Sequence, residues 1–400
     1  MPKASDDETA PFRERFVVRP LQLFLRTEAA GGILLLAAAS AALIWVNLAP
    51  GSYENLWDTE LTVGAGRWTI TEDIRHWIND AAMALFFFVV GLEIKRELVA
   101  GELRDRRAAV LPAAAALGGM VVPALIFLAV TAGGSGSRGW GIPMATDIAF
   151  AVGVLAVVGR GLPVGLKLFL LTLAIVDDIG AILMIAFFYT DSISIDALGI
   201  AVGLLAAVVL LRRLGVGWGP VHLIFGVAVW VAVFESGVHA TIAGVALALV
   251  TPARISPQLE QIIHPWTSFL VVPMFALANA GVRLAGAGLD DATSREVAAG
   301  VIVGLVVGKI VGITFGAAVA TRLGIARLPE GVGWTQVIGI AALGGIGFTV
   351  SLFIAGLAYS DGPLLSASKV GILSGSLVSG VVGTVLLARA RRVRADEETG

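Results

Sequence analysis

The sequence contains no cysteine, which excludes disulfides and thiolate-held metals together. It is also short of charge. Only 14% of its 400 residues are Asp, Glu, Lys or Arg, and 57% are hydrophobic, whereas a soluble domain carries about 25% charged residues. That scarcity leaves too little polar surface to cover a water-facing globule. What fills the chain is a series of apolar runs of about 20 residues, the length that crosses the hydrocarbon of a bilayer, and the mean hydropathy is +0.89. The chain reads as a polytopic membrane protein in contact with lipid. A formal net charge of −2 identifies no partner and gives no footing for nucleic acid; where the charges lie is more informative. No cleavable signal is expected, because the first 28 residues are polar and the first apolar run is of full span length.

Twelve spans are expected, near 29–49, 74–95, 108–131, 141–158, 163–189, 194–211, 220–235, 238–251, 262–281, 296–320, 333–357 and 365–388. They divide the chain into an N-terminal tail over 1–28, a transmembrane domain over 29–388 and a C-terminal tail over 389–400, with the start of the first tail expected to be disordered. Alternate loops test this topology. Of the 28 Lys and Arg residues, Arg67, Arg75, Arg138, Arg283, Arg295 and Lys369 fall opposite the N-terminus, Lys309 falls inside a span, and the rest share the side of the N-terminus. The positive-inside rule then places both termini in the cytoplasm.

Between the first two spans, about 56–71, the helical pattern lapses. Leu61-Thr62-Val63, then Gly64-Ala65-Gly66, then Arg67-Trp68-Thr69-Ile70 read as a two-stranded β-hairpin on the outer face; a plain polar loop is the alternative. A lone hairpin is marginal in water. It is therefore expected to lie on the membrane surface or to pair with a second copy, which makes it a candidate homodimer contact.

The candidate functional residues are charges that oil does not tolerate. Asp177 and Asp178 are adjacent near the middle of the fifth span, in Thr172-Leu173-Ala174-Ile175-Val176-Asp177-Asp178-Ile179-Gly180. A charge at the bilayer centre costs about 2.5–3.5 kcal/mol on insertion scales, so such acids are functional by default. Neighbours on a helix point about 100° apart, so one of the two is expected to meet the transported species and the other a partner charge. Lys309 sits mid-span in the tenth segment, too far from either end to snorkel, and Asp177 or Asp178 is its expected partner. The second span carries Asp80 toward its outer end and closes on Gly91-Leu92-Glu93-Ile94-Lys95-Arg96-Glu97. Two readings of Glu93 stand: an interfacial anchor paired with Lys95 and Arg96, or a carboxylate lining a cytoplasmic funnel.

The fourth span, Gly139-Trp140-Gly141-Ile142-Pro143-Met144-Ala145-Thr146-Asp147 and its continuation, reads as a broken helix, which lipid permits only where protein or water satisfies the freed backbone groups. The eleventh span has a matching break: Gly344 to Val350 overlays Thr146 to Val152 in an Ile-x-Phe-x-Val frame. Two interrupted spans seven apart, and so oppositely oriented, point to a transporter of inverted repeats with a midplane site.

These residues together resemble the NhaA family of bacterial sodium/proton antiporters, a family from which the rule of inverted repeats and broken helices was itself drawn. The resemblance rests on Trp77-Ile78-Asn79-Asp80, Phe87 to Leu98, Ala145 to Val152, Ala174 to Asp178, Ser236 to Val245, His264-Pro265-Trp266, Phe275 to Val282, Gly308-Lys309 and Gly345 to Ser351, and spans roughly 27–390. It implies an all-α inner-membrane protein with two crossing discontinuous helices, exchanging Na+ or Li+ for H+ electrogenically and under pH control, without a cofactor. It implies that Asp178 lies closest to the Na+ and Asp177 pairs with Lys309, both belonging to the ion site. Thr146 and Asp147 would lie where the broken helices cross, Asp147 by the positive helix ends and Lys309 by the negative ones; Asp147 and Lys309 are then at least partly architectural. Glu93 and Glu97 would line the cytoplasmic funnel, Glu260 and His264 the pH-sensing entrance, and His239 falls in a segment tied to dimer and pH response. Gln261 stands where some relatives have histidine, which removes a group titrating near neutrality.

Other classes fit the residues less well. An intramembrane aspartyl protease needs its two acids on separate helices, and here they are contiguous. A retinal pump built on Lys309 does not call for twelve spans with two breaks. A passive cation channel shares the composition but not coupled exchange.

Overall fold

A helix that is apolar all round has no water-facing side, and in lipid every backbone N–H and C=O must find its partner inside the protein. The chain meets both conditions with helices. The computed structural model describes residues 19–399 except 66–67, 160, 191–192, 217–218, 286–287 and 361. Most of the N-terminal tail expected over 1–28 lies outside the described residues, as do residues 66–67 of the expected hairpin.

The helices, in order, are α1 (Arg19–Leu48) and α2 (Pro50–Trp57), α3 (Ile74–Val99) and α4 (Arg106–Val130), and a 3₁₀ arm (Ser135–Met144) followed by α5 (Ile148–Val158). Then come α6 (Val164–Phe188), α7 (Ile195–Arg213), α8 (Pro220–Glu235) and α9 (Thr241–Val250). The chain ends with α10 (Ser256–Asn279) and α11 (Ala292–Arg322), α12 (Trp334–Leu343), α13 (Phe348–Ala358) and α14 (Pro363–Thr399). Among the described residues, 8 helices are long and apolar enough to cross a membrane, or 10 if each of two bent pairs is one span. Each segment expected to span coincides with a helix or a bent pair, but α8 and α9 are shorter than a full crossing. The helix α14 runs on to Thr399, past the tail boundary expected at 388, in a stretch of good helix formers.

Both expected breaks are present. The 3₁₀ arm and α5 meet at 43°, and α12 and α13 at 48°. The breaks satisfy one another: the Asp147 amide donates to Ile346 O at 2.6 Å and the Thr146 hydroxyl to Gly344 O at 2.8 Å. Further along, the Ser351 hydroxyl donates to Ile142 O at 2.7 Å. Ser351, early in α13, meets Ile142, and Tyr359, just past its end, meets Gly136, so α13 and the 3₁₀ arm run antiparallel.

Packing is closest between α4 and α11. Gly304, Gly308, Gly312 and Gly316 form a ridge on α11 at four-residue spacing, and a methyl group on Gly312 would overlap Gly118 O while one on Gly118 would overlap Gly312 O. Small residues at such spacing let two backbones meet where no hydrophobic force drives helices together. A π-helical turn at Gly304–Gly308 delivers Lys309 into the interior of this pair, fully buried.

The hairpin forms as β1 (Glu60–Ala65) and β2 (Trp68–Asp73), antiparallel, in register from Glu60↔Asp73 to Ala65↔Trp68. It sits at 60–73 rather than 56–71 because α2, started by Pro50 in the first turn where proline's fixed φ suits a helix, claims Leu56 and Trp57. Tyr53 and Trp57 of α2 bury against Trp45, with ring centroids 5.4 and 6.3 Å away. The Tyr53 hydroxyl donates to Leu277 O at 2.8 Å and Ala278 O at 2.9 Å, and burial pushes its pKa up to about 12.

Candidate cation site

Asp177 and Asp178 follow one another on α6 and face different surroundings. Asp177 meets α11: Lys309 Nζ donates to its Oδ2 at 2.7 Å, and neither side chain is exposed at all. Lys309 Nζ donates also to Thr146 Oγ1 at 3.0 Å, and that hydroxyl in turn donates a hydrogen bond to Gly344 O. One ammonium thereby joins α6, the break after the 3₁₀ arm and, through Thr146, the C-terminal end of α12. The second carboxylate oxygen of Asp177, Oδ1, is buried without a hydrogen bond.

Asp178 looks into a cavity of about 60 Å³ lined also by Thr146, Asp147, Thr349, Glu93 and His264. Its polar lining consists of oxygens of carboxylates and hydroxyls with one imidazole, a donor set suited to a hard cation and not to a soft metal. Among the described residues no cluster of three or more metal-binding side chains forms a resident metal centre.

Asp147 precedes α5 in extended backbone and acts as its N-cap, its Oδ1 accepting from the Phe150 amide at 3.0 Å. Its Oδ2 accepts from the Thr349 amide at 3.0 Å and the Thr349 hydroxyl at 2.5 Å, so the same carboxylate also caps α13. Two helix N-termini, each carrying about half a positive charge, converge on one anion. This is the compensating sign expected of Asp147. Lys309 reaches a negative helix end only by way of Thr146.

The cavity lining also takes Glu93 from α3 and His264 from α10. Lys95 donates to Leu249 O at 2.6 Å and to Thr251 O, closing the C-terminus of α9. Arg96 pairs with Glu260 and lies 3.8 Å from Glu97, which accepts from the Glu102 amide at 3.0 Å. Glu260 is buried, but its neighbour Gln261 is exposed, turned out by the step between adjacent helical positions.

Two expected residues stand apart. Asp80 lies in a π-helical turn, Ile78–Ala82, where its carbonyl accepts from Trp230 Nε1 at 3.1 Å; it does not line the cavity. His239 lies between α8 and α9, its Nε2 2.9 Å from Tyr189 O at the end of α6. Sequence reasoning missed Thr349 as a participant, and it named Arg96 only as one alternative partner of Glu93, without its pairing to Glu260. Thr349 could have been found: a hydroxyl one residue into a helix that follows Gly344-Gly345-Ile346-Gly347 is placed to meet whatever the break exposes.

A family model described as Na+/H+ antiporter 1 matches residues 22–387. The Na(+)/H(+) antiporter NhaA of Serratia proteamaculans is 48% identical, covering 92% of this chain and 97% of its own length. The Na(+)/H(+) antiporter NhaA 2 of Sorangium cellulosum is 42% identical, covering 96% and 92%, and the NhaA of Koribacter versatilis 43%, covering 95% and 94%. Similarity of that depth, running through every element that builds the cavity, shows that the chain belongs to the NhaA family of Na+/H+ antiporters.

Proposed function

We propose that this Na+/H+ antiporter works by exclusive occupancy of Asp178, which takes either a proton or a partly dehydrated Na+ but not both. The observation that carries the reading is the unequal state of the two adjacent acids: Asp177 is engaged by Lys309, whereas Asp178 faces the cavity. A carboxylate held between loss of water and a nearby ammonium is the arrangement that lets proton and cation compete. Thr146 and Asp147 supply further oxygens beside it, and Li+ fits the same set. Arrival of the cation draws Asp177 away from Lys309, and the ammonium then gives up its proton, which makes the cycle electrogenic. Asp147 serves the site chiefly by holding two helix ends together. Glu93, Glu97, Glu260 and His264 form the cytoplasmic mouth and its response to pH.

The same reading counts each bent pair and each of the shorter α8 and α9 as one crossing, giving twelve spans over 29–388 with both termini on the cytoplasmic side of the inner membrane. It assigns the hairpin to a homodimer contact, supported by Leu61 and Val63, which are half exposed on β1. The direct test is Asp178→Asn in proteoliposomes. Sodium-evoked dissipation of a pH gradient is expected to vanish; exchange near that of the unaltered protein would remove Asp178 from the site.

A further inference from the structure

The 3₁₀ arm Ser135–Met144 is poorly equipped to support itself. It contains Gly136, Gly139 and Gly141, has no side-chain cap, and carries Pro143 inside it. Runs of 3₁₀ longer than three or four residues are uncommon because their hydrogen bonds are poorly aligned, and a carbonyl left bare at membrane depth is costly. Three hydroxyls from other elements meet this need: that of Ser351 at Ile142 O, and those of two tyrosines. Tyr359, which ends α13, donates to Gly136 O at 2.5 Å. Tyr189, which ends α6, donates to Arg138 O at 2.7 Å and accepts from the Gly141 amide at 3.3 Å. Both tyrosines are buried. The glycines make room for them: a methyl group on Gly139 would overlap the Tyr359 hydroxyl, and one on Gly141 would lie 3.0 Å from that of Tyr189.

The arm matters because of where it leads. It continues through Ala145 into Thr146 and Asp147, both of which line the cavity with Asp178. At about 2 Å of rise per residue in such a helix, the Gly141 end of the clamp lies roughly 10 Å from Thr146. The arm's placement thus bears on where Thr146 and Asp147 stand relative to Asp178.

We propose that Tyr189 and Tyr359 are positioning residues for cation discrimination, clamping the 3₁₀ arm so that the cavity oxygens stand close enough for Li+ as well as Na+. This rests on the reading of the cavity as the cation site. Li+ is the smaller ion and needs nearer oxygens. A slack arm, whose orphaned carbonyls drag it toward water, penalises Li+ before it penalises Na+.

The test uses the full chain in proteoliposomes with Tyr189→Phe, Tyr359→Phe and the double variant, each of which keeps the ring and loses the hydroxyl. Half-saturating concentrations and maximal rates are measured for both ions. Given the usual worth of a hydrogen bond, each single variant is expected to raise the Li+ value about fivefold and the Na+ value by less than about twofold. Maximal rates should stay within about twofold. Gly139→Ala keeps both hydroxyls but displaces Tyr359, so it should shift the Li+/Na+ ratio in the same direction. A ratio unchanged in all these variants, or Li+ and Na+ values rising in parallel, overturns the proposal, because a merely structural clamp would lower protein yield or rate without separating the two ions. Failure of the cavity reading is distinguishable: exchange that survives Asp178→Asn removes the cavity as the site, whereas abolished exchange there with a flat ratio here removes only the clamp.

Discussion

At the scale of single residues, the main energetic fact is that Lys309 and Asp177 are both wholly enclosed. Breaking a buried pair from one side leaves an uncompensated charge and costs about 3–5 kcal/mol, whereas removing both partners is far milder. Lys309→Ala is therefore expected to unfold at markedly lower temperature in detergent, and Lys309→Ala with Asp177→Ala to recover most of the loss. A double variant no more stable than the single would show that the pair is not the source of the effect. Tyr53 offers a pH-dependent counterpart outside the spans. Its folded pKa of about 12 exceeds the usual value of about 10, so its contribution is complete below pH 10 and is lost as pH rises through that window, where the unfolded chain has released a proton the folded one keeps. Thermal melts between pH 9 and 12 should fall more steeply for the unaltered protein than for Tyr53→Phe; parallel curves would contradict this.

At the scale of elements, the α4–α11 contact depends on absent side chains. Gly312→Ala forces a methyl group onto the Gly118 carbonyl, and overpacking of this kind costs about 1–3 kcal/mol. Gly199 on α7, with open space around it, gives the contrast: Gly199→Ala should be neutral or stabilising by helix propensity. Comparison of their melting temperatures checks the claim, and equal effects would refute it. The glycine ridge also shows what a sequence reveals and what it hides. The interruptions at Gly139–Asp147 and Gly344–Gly347 were legible because proline, glycine and an acid cannot continue an apolar helix at membrane depth. The intramembrane Lys309 announced its need for an anion, but the choice of Asp177 over Asp178 was not readable from the residues themselves, because adjacent positions differ only in direction and direction depends on how α6 packs. Equally hidden was the double role of Asp147, since its second helix end lies 202 positions away in the chain. The hairpin was legible from the Gly-Ala-Gly interruption between two β-rich runs, although Gly64 and Ala65 pair within β1 rather than turning. Its start slipped because α2 extends further than its polar composition suggests.

At the scale of the whole molecule, the distribution of Lys and Arg foretells sidedness, and the absence of native cysteine makes that easy to examine. Glu60→Cys on the hairpin and Glu102→Cys between α3 and α4 are both at exposed positions. In right-side-out vesicles a membrane-impermeant maleimide should label the first and spare the second, and in everted vesicles the reverse; labelling of both from one side would break the twelve-span reading.

Asp147 bridges the starts of α5 and α13 with one carboxylate. If either broken segment slid without its counterpart, a set of amide protons would be stripped of its acceptor inside oil. Half-shifted conformers are thereby penalised from both directions, and α5 and α13 are obliged to travel in step. In the exchange cycle proposed above, such a shared pin would guard against slippage, the idle passage of one ion unaccompanied by the other.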